Sequence, residues 1–130
     1  MITTRLATMV HSSQHPNLTV LIADDEPAIV DLLADFLEDQ GFRVERALDG
    51  ASALSIIRRA PPDLVIADVM MPRLDGYELI DEIKGNGVPV ILMSAAVESR
   101  RPEIPFIAKP FDLGELLKLI TTHLDGSLSR

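Results

Sequence analysis

Five short apolar runs, at residues 18–23, 42–47, 64–67, 89–93 and 106–108, alternate with stretches whose apolar residues recur at helical spacing. This alternation constrains the fold more than any other feature of the chain. Strands and helices that take turns build a parallel sheet with helices on both faces. Runs without polar interruption, such as Leu64-Val65-Ile66-Ala67, suit strands buried on both sides. The second run, Phe42-Arg43-Val44-Glu45-Arg46-Ala47, alternates apolar and polar residues, as a half-exposed edge strand does.

The intervening segments carry helix signals. Pro27 suits a first turn, and Ile29, Leu32, Leu33, Phe36 and Leu37 form an inward stripe that Gly41 ends. Asp49-Gly50 opens a second helix with Leu54 and Ile57 inward, and Pro61-Pro62 stops it. Leu74-Asp75-Gly76 leads into a third with Leu79, Ile80 and Ile83, broken at Gly85-Asn86-Gly87. Asp112 is placed to cap a last helix with Leu113, Leu116, Leu117, Ile120 and Leu124 inward. Residues 95–105 include Pro102 and Pro105 and allow one helical turn at most, around 97–101. The expected fold is α/β, a doubly wound five-stranded parallel sheet, in a single domain at 18–125. Residues 1–17 read as a disordered arm, although Ile2, Leu6, Met9 and Val10 fall at the spacing of a short docked helix. Residues 126–130 read as a tail.

Composition excludes several classes. A net charge of −8 disfavours nucleic acid and anionic membranes as partners. With no cysteine, disulfide and thiolate chemistry are ruled out. No apolar run approaches the roughly 18 residues of a membrane span, and no signal-peptide core opens the chain, so a cytoplasmic protein is expected. His11, His15 and His123 lack metal-ligand spacing and read as surface residues.

The polar residues that end the apolar runs all fall at one end of the sheet. Asp24 and Asp25 close the first strand, Asp68 the third, Ser94 the fourth and Lys109 the fifth. Strands about 4.8 Å apart would gather these groups within several ångströms, where open α/β sheets place their ligands. Two carboxylates 4 Å apart repel by about 4 kcal/mol at an effective dielectric of 20. Either one is protonated or a cation sits among them, and all-oxygen ligands suit Mg²⁺. A screened Asp68 would be a competent phosphoryl acceptor, with Lys109 and the Ser94 hydroxyl holding the phosphoryl oxygens.

The set resembles the receiver domain of two-component response regulators. The matching residues are Asp24-Asp25-Glu26, Asp68-Val69-Met70-Met71-Pro72 with Asp75-Gly76, Ser94-Ala95 and Lys109-Pro110-Phe111. The resemblance covers about residues 18–124 and implies a flavodoxin-like strand order 2-1-3-4-5. It implies Asp68 as the phosphoacceptor, charged by a histidine kinase or histidine phosphotransfer protein. Asp24 and Asp25 resemble the acidic pair that holds Mg²⁺, and Asp68 and the Met70 carbonyl match its other protein ligands. Ser94 resembles the switch hydroxyl, Phe106 the switch aromatic and Lys109 the family's lysine, with the Lys109–Pro110 bond cis. No enzyme activity in its own right is implied; output would run through a downstream protein partner.

The chain also departs from the family. The segment from Ser94 to Lys109 is roughly seven residues short, about two turns of helix. The helix between the fourth and fifth strands, the family's helix four, should therefore be stunted or replaced by a loop. That would leave apolar surface on the fourth and fifth strands for the N-terminal arm or a partner to cover. Arg100-Arg101 reads as solvated loop charge, or as a contact for an acidic partner. Met70 and Ala96 stand where the family tunes water access to the acyl phosphate, and neither side chain activates water, so slow self-dephosphorylation is expected. The competing reading is a pseudo-receiver, an interaction module that signals without phosphate. A haloacid-dehalogenase-type phosphohydrolase needs a second acid at position 70, where Met70 stands.

Overall fold

The computed structural model describes residues 18–96 and 99–128, with side-chain burial described as far as Leu124. The expected N-terminal arm, with Ile2, Leu6, Met9 and Val10, lies outside the described residues. The strands are β1 (Thr19–Ala23), β2 (Arg43–Ala47), β3 (Leu64–Asp68), β4 (Val90–Ser94) and β5 (Phe106–Ala108). The helices are α1 (Pro27–Asp39), α2 (Gly50–Arg59), α3 (Gly76–Glu82) and, last in the chain, α4 (Leu113–Leu128). The strands form one parallel sheet in the order β2-β1-β3-β4-β5. This is the doubly wound order expected above, with the alternating segment β2 at an edge.

The uninterrupted apolar runs are explained by what covers each face. From β1, β3 and β4, residues Leu21, Val65 and Leu92 enter the core cluster that includes Ala53 and Ile57 of α2 and Leu79 of α3. Their neighbours Ile22, Ile66 and Ile91 enter a second cluster with Leu33 and Leu37 of α1 and Leu116 and Ile120 of α4. Side chains alternate across a strand, so only a strand apolar at every position fills both clusters.

Helix α1 is rotated from the expected stripe. Its buried residues are Val30, Leu33, Ala34 and Leu37, with Ile29 and Phe36 partly buried. Leu32, expected inward, is 52% exposed. Positions 30, 33, 34 and 37 have the same helical period as the expected set. The small Ala34 allows close approach to the sheet, whereas a stripe chosen by size favours Leu32. In α2, Leu54 is only partly buried and Ala53 takes the buried place beside Ile57. Helix α4 continues to Leu128, past the expected tail boundary at 125. Gly126 lowers helix propensity by only about 1 kcal/mol, which leaves propagation possible.

Between β4 and β5, the described residues hold no helix. Residues 99–105 instead form a strap fastened to α3. The Tyr77 hydroxyl accepts a hydrogen bond from the Arg100 N–H (2.9 Å) and pairs with the Ser99 hydroxyl (3.3 Å). The Arg100 guanidinium lies 4.3 Å from the Tyr77 ring centroid, and Arg101 pairs with Asp81 at 2.6 Å. Ile104 and Phe106 pack, partly buried, on the cluster under α2 and α3. The strap therefore covers part of the apolar surface expected to be open. The arginines read as solvated loop charge are its fasteners.

Candidate functional site

The parallel register brings the strand-end residues together. Ala23 pairs with Ala67, so Asp24 and Asp68 follow at the same level on adjacent strands. Asp68 pairs with Met93 and Ser94 with Ala108, which sets Ser94 and Lys109 at the same rim. Backbone bonds continue the ladder there: Asp24 N–H to Ala47 O (3.1 Å), Val69 N–H to Met93 O (2.8 Å) and Lys109 N–H to Ser94 O (2.7 Å).

Asp24 is fully buried, Asp68 is 6% exposed and Asp25 is open to solvent. One carboxylate oxygen from each lies within 4.8 Å of the others. Lys109 Nζ donates to Asp24 Oδ2 and to Asp68 Oδ2, both at 2.8 Å, and stands 3.8 Å from Glu26 Oε1. Burial works against the ammonium charge, but the hydrogen bonds it donates to Asp24 and Asp68 outweigh this and raise the Lys109 pKa. The remaining oxygens are held by backbone: Asp24 Oδ1 accepts from Glu26 N–H (2.9 Å), and Asp68 Oδ1 from Met70 N–H (3.1 Å). Ser94 Oγ accepts from Ala96 N–H at 3.1 Å. The Lys109–Pro110 peptide is cis.

One ammonium against three carboxylates leaves net negative charge at the mouth of the site. The donors are all oxygen, on groups spaced to share one ion, so the pocket of Asp24, Asp25 and Asp68 could hold a hard divalent cation. The structure thus gathers Asp24, Asp25, Asp68, Ser94 and Lys109 at one rim. Phe106 lies lower, partly buried in the α2–α3 cluster. The Met70 side chain is 72% exposed, turned away from that cluster.

Sequence reasoning missed the neighbouring pair Asp49 and Arg73. Asp49 Oδ1 caps α2 by accepting from Ser52 N–H (2.7 Å), and Asp49 Oδ2 meets Arg73 at 2.6 Å. The first bond could be inferred from Asp49-Gly50 as a helix start. The second spans 24 residues and has no periodic signal. Arg73 holds the Asp49 carboxyl below the ordinary carboxylate range, and the Ser52 N–H adds to this.

The chain is similar to known proteins in sequence and in fold. Response regulator GtcR of Aneurinibacillus migulanus is 41% identical over 114 residues, 82% of this chain and 47% of its own. The chain spans about half the length of curated relatives such as this one. Among solved structures, the receiver domain of NtrX from Brucella abortus is 37% identical with a TM-score of 0.73, over 82% of this chain and 98% of that one. The receiver domain of the Francisella response regulator 1452 is 30% identical with a TM-score of 0.77, over 85% and 99%. The family model for the response regulator receiver domain matches residues 20–121, and the chain belongs to that family.

Proposed function

We propose that residues 18–125 act as a phosphoacceptor in a two-component relay, receiving a phosphoryl group on Asp68 from a histidine kinase or histidine phosphotransfer protein. The observation that carries this reading is Lys109 Nζ, 2.8 Å from both Asp24 and Asp68, beside three carboxylates that converge within 4.8 Å. An Asp68 oxygen forms the new P–O bond as the P–N bond to the donor histidine breaks. The imidazole leaves with the electron pair and takes up a proton.

Asp24, Asp25, Asp68 and the Met70 carbonyl are the groups to hold Mg²⁺. When bound, the ion neutralises charge on the phosphoryl oxygens. Lys109 supplies a second positive charge to those oxygens, and the Ser94 hydroxyl a hydrogen bond. Turning toward the phosphoryl group requires Ser94 to release Ala96 N–H, which moves the start of the β4–β5 segment. Phe106 is the aromatic positioned to follow.

A groove of about 410 Å³ opens beside Lys109, lined by Ile29, Leu32, Leu33, Pro110 and Phe111. Its apolar rim gives a donor protein a surface to grip next to the acceptor. The resulting state would act on a downstream protein partner. Among the described residues no helix is long and apolar enough to cross a membrane.

Intact-mass spectrometry after incubation with acetyl phosphate or phosphoramidate tests the reading. The expected result is one added phosphoryl group that needs Mg²⁺ and is absent in Asp68→Asn. A folded protein that takes up none under any condition would return the chain to the pseudo-receiver reading, as a module that signals by contact alone.

A further inference from the structure

Between Asp68 and α3 the chain crosses a seven-residue loop, 69–75, that carries the Met70 carbonyl. In its middle, Arg73 has φ 68°, and it is the one non-glycine residue with positive φ among the described residues. A side chain there carries a conformational cost, so something must hold it. The holder is Asp49, 6% exposed, whose two oxygens are divided between the start of α2 and the Arg73 guanidinium. The next residue is clamped too. A Cβ on Gly50 would stand 1.8 Å from the Leu74 carbonyl oxygen, so the loop lies directly on the first turn of α2.

At its far end the loop is tied back to the site. Asp75 and Glu78 form a reciprocal cap on α3, and Gly76 N–H bonds Val69 O at 2.9 Å. Gly76 also packs against the Asp68 carbonyl, where a Cβ would stand 2.7 Å away. At its near end, Met70 N–H is bonded to Asp68 Oδ1. The two ends are therefore fixed by β3 and α3, Met71 is buried in the core cluster, and the Arg73 turn is tied to the start of α2.

We propose that Asp49 and Arg73 are positioning residues for the cation site. By holding the loop in a left-handed turn, they set the Met70 carbonyl and the Asp68 carboxylate in place before the ion arrives. Neither residue touches the ion; they remove a reordering step from its binding. This inference rests on the cation reading of Asp24, Asp25 and Asp68.

Titration calorimetry of Mg²⁺ into the full chain, with wild type, Arg73→Ala, Arg73→Gly, Arg73→Lys and Asp49→Asn, separates the possibilities. Asp49→Asn keeps an oxygen for Ser52 and loses the charge. The expected result is a dissociation constant raised about three- to tenfold in Arg73→Ala and Asp49→Asn. Arg73→Gly, which relieves the backbone cost, should weaken binding less, and Arg73→Lys should restore most of the loss. Thermal unfolding in chelator shows which variants are folded at the temperature of the titration. Wild-type binding with unchanged affinity in every folded variant would overturn the positioning role and leave the cation site standing. No Mg²⁺ binding by wild type would overturn the cation reading itself, and this inference with it.

Discussion

Single residues decide the chemistry available at the rim. Met70 follows Asp68 by two positions and turns an unbranched apolar side chain outward, 72% exposed. It offers no proton acceptor to a water near a phosphoryl group. The phosphorylated form should therefore decay over minutes to hours; decay within seconds, followed by intact mass, would contradict this. Met70→Asn, which introduces a polar amide at that position, should shorten the lifetime several-fold. Asp49 offers a pH test away from the proposed cation site. Its carboxyl is depressed in the folded state by Arg73, so it binds protons less readily than in the unfolded chain. Its contribution to stability is present above about pH 4, the ordinary aspartate range, and is lost as pH falls through the lower folded value. Urea midpoints of wild type and Asp49→Asn should differ above that pH and converge in stronger acid. A difference that persists unchanged at low pH would remove the ionic part of the argument.

At the scale of elements, the sequence was most readable where one run had to satisfy one rule. The strands β1, β3 and β4 are apolar at every position because two faces must be filled. The polar residue ending each run marks where the faces stop. The site could be placed from sequence for that reason: parallel pairing then brings Asp24, Asp68, Ser94 and Lys109 to one edge. Helix α1 was less readable because two stripes with the same period compete, and only the sheet decides between Leu32 and the pair Val30 and Ala34. That a loop would stand between β4 and β5 was readable from the shortness of the segment and its prolines, but how the strap is fastened was not. Tyr77 and Arg100 meet across 23 residues through a hydroxyl and a backbone N–H, and no periodicity announces such a contact. The neighbours Leu32 and Leu33 give a direct check of the observed face. Leu33→Ala should lower stability by about 2–5 kcal/mol, as expected for a buried leucine. Leu32→Ala should stay within about 0.5 kcal/mol. Chemical unfolding of the two variants would show equal losses if the helix sat on the stripe that includes Leu32.

For the whole molecule, the proposed cation site links charge to folding. The chain carries a net charge of −8, and its proposed cation site lies where the adjacent inner strands β1 and β3 end together. An ion that binds only the folded form adds stability by mass action, about 2.7 kcal/mol at a hundred times its dissociation constant. The unfolding midpoint should therefore rise with Mg²⁺ and fall back when a chelator removes it. Asp25→Ala, altering an exposed carboxylate, should abolish most of that rise with little effect in chelator. An equal rise with Mg²⁺ in wild type and variant would place the ion elsewhere.

The strap has a practical consequence of its own. The protein contains one tyrosine and no tryptophan, and that tyrosine is Tyr77. Its phenol is buried where α3 meets the strap, and its pKa is lowered by the Ser99 hydroxyl and then by the Arg100 N–H. Near-ultraviolet light absorbed by this molecule is therefore dominated by a single joint, the one between α3 and the strap. Ionisation of that phenol, followed by absorbance, should occur below the value of about 10 for free tyrosine, and Ser99→Ala should move it back upward. The chain thus carries its own dye at the joint that ties the β4–β5 segment to α3.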